Sequence, residues 1–559
     1  MRRIVIVVTL VCTLAGPLSP TGDGSAQDLN PGPATPNALG AAVPPELTQY
    51  AADWPVPMGN LAGTRAAANA AITAANVAQL QVVWRFPIEA TSAYGGMSAT
   101  PLIVGDTVYV QDMQSNVSAL DRNDGAVTWE HHYDTTSIGP NGLAIGYGLL
   151  YGTIGDTAEV FALAADTGAE VWRIRLSNHG GEGVDMAPTV YDNTVYVSTV
   201  PGNSTSFYGG GRKGILYALD APTGKVLWQF DTTTDNLWGN PRINNGGGLW
   251  YPLSVDEAGN LYFGTGNPGP NPGTVAFGTP YPNGSSRTGP NDYTNSLVSL
   301  DSRTGAIRWY HNAKPHDLFD LDFQLTPILA TLPIDGTPTR VTIGGGKAGT
   351  VIAFNADTGA VLWEATVGEH QNDELQTIPP GETVEVLPGP LGGVETPMAY
   401  ADGTVFIPVV NLSLGYKATE VDFASLDITQ GTGELVALNA VDGSVKWQVD
   451  LPAMNLGAAT VANDVVFTAT LDGIFRAYAA ETGEPLWTYQ TGAGINAPPA
   501  VAGDLVLVAA AGPLIAPAAP PAAATPGGPA EVKVTPATEP VSELIALRLP
   551  SGVGATPAP

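Results

Sequence analysis

The sequence predicts an all-β protein, an eight-bladed β-propeller of four-stranded antiparallel blades closed by strands from both ends of the chain. A hairpin leading into a tryptophan strand recurs seven times, an eighth tryptophan strand stands near the N-terminus, and Gly and Pro are abundant at 67 and 48 residues. Short strands joined by tight turns at a regular spacing are typical of this repeat architecture.

Each repeat consists of a strand, a turn that ends in glycine, and a strand with tryptophan. The copies read ALDRNDGAVTW, ALAADTGAEVW, ALDAPTGKVLW, SLDSRTGAIRW, AFNADTGAVLW, ALNAVDGSVKW and AYAAETGEPLW. Asp, Asn and Thr favour the turn, and Gly supplies the positive φ that the hairpin needs. Because a single blade cannot bury its own faces, we expect each tryptophan to pack against a neighbouring blade.

The two ends of the chain provide complementary parts of one blade. The strand LQVVWRF, which contains Trp84, lacks a preceding half, and the strand SELIALRLP at 542–550 has no tryptophan strand after it. Pairing the two completes the eighth blade and removes the exposed sheet edges. We therefore expect one propeller domain over residues 51–550.

The segments outside the repeats have other compositions. Residues 1–26 combine two arginines with a short apolar run, as in a secretory signal peptide, and the run is too short for an ordinary membrane span. Residues 27–50 and 551–559 are expected to be flexible, and the Pro- and Ala-rich stretch 512–541 to be a disordered loop. The mature chain is thus expected to be secreted, periplasmic or extracellular, with no membrane span.

Charge and cysteine content restrict the possible partners. The formal net charge is −30, which repels nucleic acid and anionic lipid and suits a basic soluble protein. The only cysteine is Cys12, inside the expected signal peptide. The mature chain would then have neither a disulfide nor a Cys-x-x-Cys-His haem attachment motif.

The stretch between Trp228 and Trp363 resembles the quinoprotein alcohol dehydrogenases, which use pyrroloquinoline quinone (PQQ). It contains GGGLWYPLSVDEAGNLYFGTGNPGP from residue 246 and NDYTNSLVSLDSRTGAIRWYHNAKPHDLFDLD up to residue 322. The segments DWPVPMGNLAGTR at 53–65 and GAGINAPPAVAGD at 492–504 are similar to the same family. The resemblance covers nearly all of the expected mature chain.

The resemblance implies a role for five residues. Trp250 matches the indole beneath the quinone ring, and Lys347 matches a basic residue near the quinone oxygens. Asn267 matches an amide ligand of the metal. Asp320 matches the catalytic base, which also lies at the metal, and Asp322 matches an extra metal-binding carboxylate of the lanthanide-using branch.

These residue types suit the implied chemistry. PQQ acts as the electron sink, and a calcium or lanthanide ion polarises its carbonyl. A carboxylate takes the proton of an alcohol substrate while hydride moves to the quinone. Hard cations prefer the oxygen ligands that Asn and Asp provide. Without a haem motif, the electrons would pass to a separate carrier, for example a soluble cytochrome.

Each of these residues also has a purely structural interpretation. Trp250 can be a packing tryptophan, and Asn267 suits the turn in Gly-Asn-Pro. Asp320 and Asp322 can belong to a solvated loop or cap a turn, and Lys347 can be an ordinary surface lysine. His316 and Asp317 are expected to hold this loop together rather than to do chemistry.

The sequence also departs from the family pattern. The adjacent cysteine pair is absent, and Asn141 stands where the family has an arginine that pairs with a PQQ carboxylate. The metal-binding glutamate is missing from GNSTSFYGGGRKG, and Val394-Glu395 replaces an Asn-Trp pair. Two classes of function therefore remain open: a PQQ-dependent oxidoreductase that oxidises an alcohol or other hydroxyl substrate, and a cofactor-free propeller that serves as a binding scaffold of the cell envelope.

Overall fold

Strands make up almost all of the regular secondary structure. The computed structural model describes residues 42–177, 180–205, 212–234, 244–269, 275–276, 279–280, 290–515 and 541–550. Within these ranges there is one short α-helix, Pro45–Gln49, together with the 3-10 turns Val77–Gln79, Gly155–Thr157, Phe423–Ser425 and Ile428–Gln430. No helix in this part of the chain is long and apolar enough to cross a membrane.

Eight sheets, each with four consecutively paired antiparallel strands, follow one another in the described residues, and we number them in chain order. Sheet 1 consists of Leu102–Val104, Thr107–Gln111, Val117–Asp121 and Val127–His131. Sheet 2 consists of Ala144–Gly146, Leu149–Ile154, Glu159–Ala164 and Glu170–Arg175. Sheet 3 consists of Thr189–Tyr191, Thr194–Ser198, Ile215–Asp220 and Val226–Asp231. Sheet 4 consists of Ser254–Val255, Asn260–Gly264, Ser296–Asp301 and Ile307–Asn312.

The second half of the chain repeats the arrangement. Sheet 5 consists of Ile328–Ile334, Thr337–Gly345, Thr350–Asn355 and Val361–Thr366. Sheet 6 consists of Ala399–Ala401, Thr404–Asn411, Thr432–Asn439 and Val445–Leu451. Sheet 7 consists of Thr460–Ala462, Val465–Ala469, Ile474–Ala479 and Pro485–Gln490. Sheet 8 consists of Ala500–Ala502, Leu505–Ala510, Glu543–Arg548 and, from the N-terminal part of the chain, Gln81–Pro87. Sheet 7 is extended by Ala66–Ala67, which pairs in parallel with its first strand.

The tryptophan of each repeat joins its sheet to the next one. The Trp129 indole of sheet 1 donates to the Ala165 carbonyl in sheet 2, and Trp228 of sheet 3 donates to Ser302 in sheet 4. The same bond recurs for the tryptophans in the fourth strands of sheets 2, 4, 5, 6 and 8. The expectation that these tryptophans pack against the neighbouring sheet is confirmed.

Sheet 8 is assembled from both ends of the described chain. Gln81–Pro87 pairs antiparallel with Glu543–Arg548, and Trp84 lies opposite Ala546. The strand Glu543–Arg548 pairs in turn with Leu505–Ala510, which is fully buried. One apolar cluster joins residues of sheets 7, 8 and 1, including Phe467, Leu507 and Leu120.

In the part of the chain that the structure describes, three short sheets lie outside the eight. The accessory sheet consists of Val384–Val386, Leu414–Lys417 and Glu420–Asp422. The other two are the strand pairs Asn245–Gly246 with Pro268–Gly269 and Val275–Ala276 with Thr279–Pro280.

Several predicted segments fall partly or wholly outside the described residues. The signal peptide at 1–26, the tail at 551–559, and residues 516–540 of the predicted loop at 512–541 lie outside them. Of the stretch 27–50, residues 42–50 are described and carry the helix Pro45–Gln49. There the carboxylate of Glu46 accepts hydrogen bonds from the backbone of Tyr147 and Gly148 in sheet 2.

Candidate active site

Lys347 lies at the centre of the candidate site. Its ammonium nitrogen is 2.9 Å from a carboxylate oxygen of Asp322 and 3.6 Å from one of Asp320. The same atom lies 5.8 Å from the centre of the Trp250 ring. Lys347 stands in the turn between two strands of sheet 5, whereas Trp250 precedes the first strand of sheet 4. Ion pairs therefore join residues that are far apart in the sequence.

Asn267 completes the group through Asp322. The Asn267 backbone nitrogen donates to Asp322 Oδ1 at 2.5 Å, and both residues are fully buried. Asp322 Oδ2, on the other side of the carboxylate, faces Lys347. All five residues predicted from the sequence thus lie in one connected group.

Close backbone approaches hold this arrangement. The Lys347 nitrogen donates to the Asp322 carbonyl at 2.9 Å, and a Cβ on the preceding Gly346 would lie 2.0 Å from that carbonyl oxygen. Only glycine fits there, because contacts this short are repulsive for any side chain. Gly266, beside Asn267, likewise lies close to the indole, since a Cβ there would lie 3.1 Å from Trp250 Nε1.

The two aspartates have different surroundings. Burial raises the pKa of both carboxyl groups, and the neighbouring Lys347 ammonium opposes the increase. Asp322 is fully enclosed, and both of its oxygens face donors. Asp320 keeps some exposure, and its Oδ1 is buried without a hydrogen-bond partner among the described residues. Asp320 therefore has a buried oxygen without a partner in the described residues, whereas Asp322 is already paired with the Lys347 ammonium and the Asn267 N–H.

The position of Trp250 recurs in other sheets. It stands four residues before the first strand of sheet 4, as Asp185, Gln324 and Glu395 stand before the first strands of sheets 3, 5 and 6. Gln324 Nε2 donates to the Glu395 carbonyl at 3.4 Å, and the Tyr251 hydroxyl donates to the same oxygen at 3.0 Å. The equivalent position of neighbouring repeats thus lines the candidate site.

Three ionisable residues near this group were not predicted as site residues. Burial raises the pKa of Glu395 to about 8, with Lys347 opposing and Asp322 adding to the increase. Burial likewise raises the pKa of Asp185 to about 7. The charges of Lys347, Glu395, Asp320 and Asp185 act on the phenol of Tyr94, which is 42% exposed. The equivalence of Asp185 and Glu395 to Trp250 in the repeats was the available signal for those two residues, whereas no motif marks Tyr94.

The residues fit the quinone ring and the metal of a PQQ site better than they fit the PQQ carboxylate that the family's arginine pairs with. Trp250 offers a flat ring, and Asp320, Asp322 and Asn267 offer oxygens to a cation. No group of three His, Cys, Asp or Glu side chains in the described ranges could hold a metal alone. Asn141, in the place of the family's arginine, donates to the Asp112 carbonyl instead of presenting a charge.

Comparisons with known proteins agree with this architecture. Residues 54–146 and 174–375 match the family model described as glucose/ethanol/alcohol dehydrogenase, β-propeller domain. Residues 421–518 match the one described as outer membrane protein assembly factor BamB. The repeated four-stranded sheets and these matches define a β-propeller. The chain belongs to the family of the quinoprotein alcohol dehydrogenases, and the resemblance predicted from the sequence is confirmed.

Similar proteins include both sequences and a solved structure. The chain is 28% identical over 527 residues to the putative dehydrogenase XoxF of Paracoccus denitrificans. The match covers 80% of this chain and 84% of that protein. It is 27% identical over 515 residues to the quinohemoprotein alcohol dehydrogenase of Comamonas testosteroni, which covers 80% and 70%. The structure of a europium-containing methanol dehydrogenase superposes with a TM-score of 0.70 at 23% identity, covering 82% of this chain and 90% of that one.

Proposed function

We propose that this protein is a secreted quinoprotein oxidoreductase that oxidises an alcohol or a similar hydroxyl substrate with PQQ and a calcium or lanthanide ion. The main support is the convergence of Trp250, Asn267, Asp320, Asp322 and Lys347 from sheets 4 and 5. The five residues come from four separate sequence segments, and the ion pairs, the ring contact and the hydrogen bond of Asn267 join them in one group. Membership of an alcohol-oxidising quinoprotein family supports the same reaction class.

In this proposal the chain supplies binding and proton transfer. Trp250 supports the ring of the cofactor, and Asp322 with Asn267 gives oxygens to the ion. Asp320 accepts the proton of the substrate hydroxyl at Oδ1, and its raised pKa brings it closer to the range of an effective general base. Lys347 holds both carboxylates in place. PQQ, when bound, would accept the hydride, and the ion would polarise its carbonyl.

The electrons would leave through a separate carrier. Cys12 is the only cysteine, so this chain has no Cys-x-x-Cys-His haem motif. The net charge of −30 favours a basic soluble partner, such as a cytochrome, in the periplasm or outside the cell. We propose further that the eight sheets are eight blades around one axis and that sheet 8 closes the ring.

Reconstitution tests the proposal. Purified full-length protein is mixed with PQQ and either calcium or a lanthanide, and bound quinone absorbance and alcohol-dependent dye reduction are measured. Asp320→Asn should lower kcat by about 100-fold or more, the usual contribution of a general base. Asp402→Asn is the matched control, because Asp402 has a similar left-handed backbone, with φ 46° against 65°, on an exposed turn. Quinone that fails to bind with either ion would refute the proposal.

A cofactor-free envelope scaffold is the second candidate. It is favoured by the match of residues 421–518 to the assembly-factor family model and by the missing glutamate and arginine. This candidate predicts no quinone binding under any condition. It also predicts that Asp320→Asn has no effect beyond stability, so the reconstitution experiment separates the two functions.

A further inference from the structure

The loop 317–322 that carries Asp320 is held by residues that the proposed reaction does not use. Asp320 itself has a φ of 65°, in the left-handed region that residues other than glycine seldom adopt. Asp tolerates this region better than most residues, but a strained conformation persists only where its surroundings impose it. The contacts on either side of Asp320 therefore determine where its carboxylate points.

Asp317 fixes the loop from within. Its Oδ1 accepts the Phe319 backbone N–H at 2.8 Å, and its Oδ2 accepts that of Leu321 at 2.8 Å. The Asn295 side chain donates to the same Oδ2 at 3.0 Å and ties the loop to sheet 4. Because the Leu321 nitrogen belongs to the peptide plane that follows Asp320, Asp317 fixes the orientation of that plane.

Tyr416 fixes the plane that precedes Asp320. Its hydroxyl donates to the Phe319 carbonyl at 2.7 Å, and its ring packs edge-on against the Phe319 ring at 5.0 Å. Tyr416 is 2% exposed and belongs to the accessory sheet. With both flanking planes held, neither φ nor ψ of Asp320 can rotate freely.

The accessory sheet is built around this contact. Ile378, Val386 and Leu414 form one apolar cluster with the buried side chains of the loop, Leu318, Phe319 and Leu321. Residues 376–420, which include Tyr416, lie between the two stretches matched by family models. The support for Asp320 thus comes from a segment that those models do not describe.

We propose that Tyr416 and Asp317 are positioning residues that hold Asp320 with its carboxylate towards Lys347. This inference rests on the proposed function, because it assigns a purpose to the strained conformation of the catalytic base. Neither residue touches the reacting atoms in this proposal. Their role is to keep Asp320 Oδ1 available to the substrate while Oδ2 faces Lys347.

The test compares two tyrosines that make the same kind of bond. Tyr416→Phe removes the hydroxyl that holds the Phe319 carbonyl. Tyr196→Phe is the matched control, because its buried hydroxyl donates to the Ser302 carbonyl at 3.1 Å, between sheets 3 and 4. Hydrogen–deuterium exchange of the Phe319 and Leu321 amides is measured in the full chain, and kcat and KM are measured after reconstitution.

Tyr416→Phe should speed exchange at both amides and lower kcat about tenfold with KM within about twofold, since small misplacement of a catalytic group affects the chemical step more than binding. Tyr196→Phe should change neither quantity. Unchanged exchange in Tyr416→Phe overturns the inference, as does faster exchange with an unchanged kcat. If the wild type reduces no dye with any alcohol, the proposed function fails, and exchange alone decides whether Tyr416 holds the loop.

Discussion

At the scale of single residues, the proposed function gives Asp322 and Asp320 different tasks. Asp322 is 0% exposed and lies between the Lys347 ammonium and the Asn267 N–H, whereas Asp320 has an oxygen without a partner in the described structure. A carboxylate enclosed by donors stays charged more easily than one without them. Asp322 is therefore suited to neutralise a cation and Asp320 to accept a proton.

This division predicts the choice of metal. Coulomb attraction increases with the charge of the ion, so Asp322 should favour a trivalent lanthanide over divalent calcium. Asp322→Ala should weaken lanthanide binding more than calcium binding, and binding of either ion should need PQQ to complete the oxygen ligands. Calorimetric titration of both ions, with and without PQQ, measures this. Equal binding by wild type and variant would contradict the assignment of Asp322.

Asp185 gives a prediction for stability against pH. Burial raises the pKa of Asp185 in the folded protein to about 7, well above its model-compound value of 3.8. A folded-state pKa raised in this way contributes stability that is present below about pH 4 and is lost as the pH rises towards 7. Asp185→Asn, which imitates the neutral form, should thus gain stability relative to wild type up to about pH 7, by a few kcal/mol at about 1.4 kcal/mol per pKa unit.

Thermal unfolding midpoints of both proteins between pH 5 and 9 check this expectation. The difference between variant and wild type should widen up to about pH 7 and stay constant above it. Glu159→Gln serves as a control, because Glu159 lies in a surface ion pair with Arg175. A difference between Asp185→Asn and wild type that does not vary with pH would show that Asp185 is charged throughout.

The candidate site residues that sequence reasoning singled out lie in family motifs. Trp250, Asn267, Asp320, Asp322 and Lys347 stand in motifs, and the structure brings them together. Tyr416 could not be found in this way, because its role comes from a contact between distant segments that no local pattern records. The strained φ of Asp320 was hidden for the same reason, since backbone torsion there is imposed by tertiary contacts.

At the scale of elements, the repeat works through contact between an indole and a glycine. The Trp228 ring lies against Gly305 in the hairpin of the next sheet, which has a φ of 67°, and a Cβ there would be 2.7 Å from the ring. Glycine is thus required twice, for the left-handed turn and for the approach of the indole. The sequence pattern predicted the turn, which is local to the repeat, and the packing of the tryptophan on a neighbouring sheet, but not that the hairpin glycine is the contact.

Two glycine substitutions separate these requirements. Gly305→Ala should cost about 1–2 kcal/mol for the left-handed backbone and a further 1–3 kcal/mol or so for overpacking against Trp228. Gly336→Ala should cost only the first amount, because Gly336 has a φ of 77° with nothing within 4 Å of a Cβ. Urea unfolding of both variants measures the difference. Equal losses would show that the indole contact adds no constraint.

The accessory sheet is the element that the sequence did not predict. Its strands Val384–Val386, Leu414–Lys417 and Glu420–Asp422 are three or four residues long and lack the tryptophan hairpin of the repeats. Strands this short depend on tertiary packing rather than on propensity. Here the strands pack against the loop of Asp320, so the accessory sheet and the loop stabilise each other.

At the scale of the whole molecule, sheet 8 differs from the others because no hairpin joins its last two strands. The indole in the fourth strand of each sheet except sheet 7 donates to a carbonyl of the next sheet's hairpin region. Trp487 of sheet 7 faces the sheet in which the two chain segments meet, and it packs against Phe475 and Tyr489 within its own sheet. The join at sheet 8 therefore depends on strand pairing, on apolar packing and on the ion pair between Arg85 and Glu543.

Removing the strand Glu543–Arg548 should consequently destabilise the molecule as a whole. A chain truncated after Val541 loses the fully buried Leu544, Ile545 and Leu547. Each such side chain contributes roughly 1.5–3 kcal/mol, so the loss should be on the order of 5 kcal/mol or more, and two strand edges become exposed. Urea unfolding followed by circular dichroism and by tryptophan fluorescence should show lower midpoints with both probes.

Truncation after Pro550 is the control, because it keeps the paired strand and removes only residues 551–559. It should unfold like the full chain. A synthetic peptide of residues 542–550 added to the chain truncated after Val541 should restore part of the lost stability, since the strand can pair from outside. If truncation after Val541 leaves both unfolding curves unchanged, the pairing of Glu543–Arg548 with Gln81–Pro87 and Leu505–Ala510 does not hold the ends of the chain together.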